Sequence, residues 1–122
     1  MLRIRLPFPD RNLNPNRSHG VHWAKLREAK RDAWEIGFFE ARKAGYRMSP
    51  PYFRKDKPIQ ARICIYPPDN RRRDWDNIVA ALKSYQDGIF AQIGEDDSRI
   101  RRPDPVMRRS CPEGKVYYIL YQ

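Results

Sequence analysis

Along the 122 residues the spacing of apolar side chains switches repeatedly between two and about 3.6, which restricts the chain to strands layered against helices. Leu2, Ile4 and Leu6 alternate with Arg3 and Arg5, a short strand ending at Pro7-Phe8-Pro9. Residues 10–20, rich in Asn, Pro and Arg, read as an ordered loop. From Val21 the period becomes helical: Trp23, Leu26, Ala33, Trp34, Gly37, Phe38 and Ala41 form a stripe expected to be buried, and Gly45 stops the helix. Ile59, Ala61, Ile63 and Ile65 return to period two, closed by Pro67-Pro68. A second helix is expected over residues 76–91, burying Ile78, Ala81, Leu82, Tyr85 and Ile89. A third strand is expected over residues 97–102, limited by Pro103 and Pro105, and a last one over residues 114–121. The order β-α-β-α-β-β predicts an α/β (α+β) fold: a single-layer mixed sheet with two main helices. Residues 1–122 form one domain, without repeats or a linker.

Composition sorts partners rather than folds. Lys and Arg number 25 against 15 Asp and Glu, a formal charge of +10 that favours a polyanion through counterion release and steering. No run approaches the roughly 20 apolar residues of a membrane span, and the N-terminus lacks the apolar core of a signal peptide, so a cytoplasmic protein without a membrane partner is expected. Cys64 and Cys111 lack zinc-ligand spacing and are expected to be free thiols.

The informative segment is Arg71-Arg72-Arg73-Asp74-Trp75-Asp76-Asn77, followed later by Glu95-Asp96-Asp97. Taken singly, an aspartate before a helix is an ordinary N-cap, and Asp96-Asp97 a solvated turn. Together they invite another reading. Asp74 and Asp76, two apart in extended chain, can point the same way. From Asp76, helical geometry stacks Ala80, Lys83 and Asp87 along one face, although Lys83–Asp87 alone is an ordinary surface pair. A passive DNA binder gains nothing from carboxylates beside an arginine cluster, since each one 4 Å from a phosphate costs about 1 kcal/mol even in water. A divalent metal reverses that sign. Mg²⁺, with Mn²⁺ as a substitute, takes a few carboxylate oxygens and leaves positions for water and phosphate. Arg71, Arg72 and Arg73 then hold flanking phosphates, and Lys83 stabilises charge in the transition state. No small-molecule cofactor is expected.

This run, with Lys83, Asp87-Gly88-Ile89 and Asp96-Asp97-Ser98-Arg99-Ile100, resembles the RusA family of Holliday-junction resolvases, common in phages and prophages. Leu6-Pro7-Phe8-Pro9 and Asn14-Pro15-Asn16 look like that family's opening strand and Pro/Asn-rich loop. The resemblance implies a homodimeric, Mg²⁺-dependent endodeoxyribonuclease that cuts branched DNA, ideally a four-way junction, by paired symmetric nicks in recombination and repair. It places the essential carboxylates on Asp74, Asp76 and Asp97, with Asp96 adjacent as a further metal ligand. The family's best-known lysine falls where this chain has Ala80; Lys83, one turn later, stands at a place comparable to that in other members.

Arg17, Lys25, Arg99 and Arg101 are expected to join the DNA-binding surface, with Arg102, Arg108 and Arg109 extending the phosphate track. His19 and His22 are expected to meet phosphate or solvent, and Trp75 to pack in the core. Two rivals stand beside the resolvase: a metal nuclease without junction preference, and a non-catalytic basic nucleic-acid-binding module in which Asp74 and Asp76 merely cap a helix.

Overall fold

Three strands with inward Leu2, Ile4 and Leu6 (β1, Leu2–Leu6), Ala61, Ile63 and Ile65 (β2, Gln60–Tyr66) and Val116, Tyr118 and Leu120 (β4, Lys115–Tyr121) bury one whole face of a sheet. The computed structural model describes residues 1–14, 22–101 and 103–122. With β3 (Asp104–Met107) the sheet has four strands in the order β1-β4-β2-β3; β4 runs antiparallel to both neighbours, and β2 and β3 are parallel. The fold is α+β, a mixed sheet with its helices packed on the inward face, as the periodicity predicts. The Tyr118 hydroxyl donates to Gln86 Oε1 (2.9 Å), tying the sheet to the helix above it. No helix among the described residues is long and apolar enough to cross a membrane. Cys64 and Cys111 are free thiols.

The first long helix, α1 (Trp23–Ala44), departs from the expected stripe. Its buried residues are Ala33, Gly37 and Ala41, whereas Trp23 is 64% and Trp34 38% exposed. The reason is the helix it meets. A Cβ on Gly37 would collide with the Tyr85 carbonyl, and one on Gly88 with the Trp34 carbonyl, lying also 2.9 Å from the Phe38 nitrogen. The two backbones touch, so small residues form the seam and the tryptophans are displaced to its flanks.

The second helix is also two pieces. α2 (Trp75–Ala81) and α3 (Lys83–Ile93) meet at buried Leu82, whose backbone (φ −82°, ψ −6°) tightens the turn and donates to Val79. Gly94 closes α3 in the left-handed region (φ 71°). Trp75 is half-buried against the core, as expected.

Where a strand was expected over residues 97–102, Asp97–Arg99 form a 3₁₀ turn and Ile100 makes an isolated parallel bridge to Ile59, just ahead of β2; Arg102 lies outside the described residues. The Asp96 carboxylate accepts from the Ser98 N–H (2.8 Å), a local bond that outcompetes the ladder. Pairing resumes at β3, where Pro105 is tolerated because the strand is at the sheet edge.

Two tyrosines under the helices make the fold alkali-sensitive. Burial, aided by the negative charge of Asp10, pushes Tyr85 up to about 12; burial, aided by Asp97, raises Tyr118 as well. Both hold their protons more tightly folded than unfolded, so the stability they lend is complete below pH 10.0 and is lost as pH climbs through about 12. Denaturant midpoints should hold to pH 10 and then fall, with the last tyrosinate absorbance appearing only on unfolding. Titration of all seven tyrosines near pH 10 in a folded protein would contradict this.

Candidate metal and nucleic-acid site

The loop leaving β2 carries the arginines and delivers Asp74 to the start of α2. Asp69 organises this loop: its carboxylate accepts from the Arg71 N–H (2.9 Å) and pairs with the guanidiniums of Arg73 (2.8 Å) and Arg71 (3.3 Å). The Arg71 backbone N–H foremost, and then the two guanidiniums, hold the Asp69 carboxyl below its ordinary range. Arg73 also donates to the Asp69 and Arg71 carbonyls and lies 5.4 Å over the Phe8 ring. It is therefore a strut within the loop. Arg71 and Arg72 are exposed.

Asp74 caps α2, with Oδ1 accepting from the Asp76 N–H (2.9 Å). The cap occupies one oxygen and leaves the other for a ligand. Asp74 lines a cleft of about 620 Å³ with Asp10, Arg11, Arg71, Arg72 and Asn77; Asp76, two residues on, is exposed but does not line it. Asp10 and Arg11 were not singled out by the sequence; only the folding of the loop after β1 against α2 puts them there.

Lys83 opens α3, and its ammonium donates to Asp87 (2.9 Å) and to Asp97 Oδ2 (3.1 Å). The Asp87 bond first, and Asp97 next, raise its pKa above the ordinary 10.5. The ion pair is thus at full strength through neutral pH and fades only as pH rises beyond 10.5, which makes Lys83 a cation and not a base. Of the face expected from Asp76, Ala80, Lys83 and Asp87 line one cleft, and Lys83 pairs with Asp87 as helical spacing predicts and with Asp97 in addition. Ala81 lines both the Asp74 cleft and a smaller one of about 360 Å³ that holds Lys83, so the two groups are neighbours across one surface. Asp96 caps the 3₁₀ turn, and the Ser98 N–H above all holds its carboxyl below the ordinary range.

Among the described residues no three carboxylate, histidine or cysteine side chains converge closely enough to enclose a metal, so Asp74, Asp76, Asp96 and Asp97 do not form one ligand cage. Oxygen donors still suit Mg²⁺, which binds through one or two carboxylates and keeps water and phosphate for the rest.

The expected outer contacts divide. Lys25 and Arg101 are exposed and available. Arg99 is committed inward: its guanidinium pairs with Glu95 and donates to the carbonyls of Arg54 and Lys57 (2.9 Å to the latter), because its turn faces that loop rather than solvent. His22 caps α1, its Nδ1 accepting from the Ala24 N–H (3.2 Å). Arg17, His19 and Arg102 lie outside the described residues.

No model of a known protein family matches the chain. It is similar to an uncharacterized protein of Xylella fastidiosa (strain Temecula1 / ATCC 700964). The two are 35% identical over 100 residues, which is 81% of this chain and 62% of that protein. The aligned part thus spans less than two thirds of the relative's length.

Proposed function

We propose that this protein is a Mg²⁺-dependent endodeoxyribonuclease of the RusA type, acting on branched DNA as a homodimer. The observation that carries the reading is the exposed Asp74 carboxylate lining one cleft with exposed Arg71 and Arg72, with Asp76 exposed two residues on and the Lys83 ammonium on the adjoining surface. Acid set among base repels a phosphate backbone unless a divalent cation bridges them. Asp74 and Asp76 would hold that ion, which when bound supplies a polarised phosphate and an activated water. Arg71 and Arg72 fix the flanking phosphates and so orient the strand. Lys83, itself oriented by Asp87 and Asp97, contributes positive charge where the transition state gains negative charge. A two-fold dimer would present two such sites, as paired nicks across a junction require.

One observation favours the non-catalytic alternative: Asp74 does cap α2. The readings separate in a gel assay of a synthetic four-way junction and a linear duplex, each with Mg²⁺ or EDTA. The proposal predicts paired nicks in the junction with Mg²⁺ alone. Binding without nicking in any divalent ion would overturn it, and equal cutting of the linear duplex would leave a nuclease without junction preference.

A further inference from the structure

The strands' alternation leaves a second face, pointing away from the helices, with a composition unlike the rest of the surface. β1, β4 and β2 are adjacent, and together they contain Arg3, Arg5, Arg62 and Lys115 but no Asp or Glu. The register gathers these cations. Arg3 and Arg62 both pair with Ile119, so they flank β4 at one level; Arg5 pairs with Tyr117, and Lys115 with Tyr66. Two tyrosines sit among them: Tyr66 and Tyr117 lie 6.0 Å apart at 86°, with Arg3 4.2 Å over the Tyr117 ring and Lys115 5.1 Å from Tyr66. The edge strand sets Asp104 in register with Arg62, the one acidic position in the sheet.

On α1, by contrast, charges are interleaved, with Glu28, Asp32, Glu35 and Glu40 among the lysines and arginines. Like charge concentrated on three strands, with Glu40 and Glu113 sharing a cleft with Arg5 and Lys115, favours a polyanionic partner. The aromatics narrow the choice of polyanion. A duplex offers this face only phosphates, whereas an unpaired strand also offers base faces that stack on tyrosine and guanidinium. The face also leads toward the acidic site. β2 ends at Tyr66, and the next residues run through Pro67 to Arg71, which lines a cleft of about 310 Å³ with Arg108 and Arg109 at the adjacent ends of the parallel strands.

We propose that the outward sheet face is a second nucleic-acid surface, which binds an unpaired DNA strand through stacking on Tyr117 and Tyr66 and phosphate contacts from Arg3, Arg5, Arg62 and Lys115. The inference rests on DNA as the substrate but not on cleavage. In branched DNA it gives the protein a hold on the unpaired segment near the branch, independent of metal.

The test measures fluorescence anisotropy of a labelled oligo-dT strand and of a duplex, in EDTA, with the full chain and with Tyr117→Leu, Arg3→Ser/Arg5→Ser and, as control, Glu28→Gln. Tyr117→Leu should weaken single-strand binding about tenfold while changing duplex binding less. The arginine pair should lower the single-strand salt slope by about 1.4, two phosphates' worth. Glu28→Gln, exposed on α1 and outside both surfaces, should bind like the parent. Bromodeoxyuridine cross-linking to the parent protein should mark the Tyr117 peptide, which keeps the test informative if Tyr117→Leu fails to fold. Unchanged single-strand affinity in the folded variants, or cross-links confined to the Arg71 loop, overturns the inference. A fall from dimer to monomer with unchanged affinity also overturns it and assigns the face to a second copy. If the protein binds the strand through this face yet leaves junctions uncut, only the cleavage reading fails; if it cuts junctions and binds equally without the face, only this inference fails.

Discussion

Gly88→Ala should lower stability by about 3 kcal/mol or more, and the melting temperature by more than about 10 °C. Helix propensity alone predicts the opposite, a gain near 1 kcal/mol for glycine to alanine within a helix. The added methyl has nowhere to go, because the atoms it meets are the Trp34 carbonyl and the Phe38 nitrogen, both backbone. α1 and α3 must separate, and the contacts between Ala33, Ala41, Ile89 and the sheet are lost along the seam. Gly37→Ala meets the Tyr85 carbonyl and should behave similarly. Gly94→Ala is the control: its Cβ would stand in open space, so only the cost of positive φ, about 1 kcal/mol, applies. Thermal and denaturant melts of the three variants decide the matter. A Gly88→Ala protein as stable as its parent would show that the helices do not touch backbone to backbone.

Asp76→Asn should cut junction cleavage about a thousandfold while leaving junction affinity equal or up to a few times tighter. The substitution is nearly isosteric, and the Asp76 backbone N–H still donates to Asp74, so the fold loses no more than a charge in the first turn of α2, about 0.3–1 kcal/mol. What changes is the acid among the arginines. Removing it relieves repulsion toward phosphate and takes away an oxygen the divalent ion requires. Single-turnover cleavage in saturating Mg²⁺, set beside binding in EDTA, separates the two effects. Cleavage equal to that of the parent would remove Asp76 from the chemistry and return both aspartates to the role of helix capping.

The acidic segment was readable in the chain because its signals are local: an Asp at a helix start, a second two residues on and three arginines before them need only nearest neighbours to be placed. The strands were readable for the same reason, since burial alternates with each residue in β1 and β4. The misreadings share one physical origin. Trp23 and Trp34 satisfy a helical period, yet hydrophobicity carries no information about how closely another backbone will approach, and the seam went to Gly37 and Gly88. A strand was expected over residues 97–102, but the Ser98 N–H donates to the Asp96 carboxylate and Asp97–Arg99 form a 3₁₀ turn.

That turn matters for the site, because it is what carries Asp97 to Lys83. The pairing of Lys83 with Asp87 follows from helical spacing alone; its second partner, Asp97, lies in the 3₁₀ turn, which has no periodic signature. By itself the sequence determined the α+β class, the strand faces and the arginine-flanked aspartates, all consequences of residue spacing along the backbone. Only the tertiary structure decided which helix faces meet, which carboxylates Lys83 holds, that Arg99 turns inward and that four cations and two tyrosines share an open sheet face. Those outcomes are set by contacts between segments far apart in the chain, where packing distance and strand register, rather than local pattern, determine the free energy.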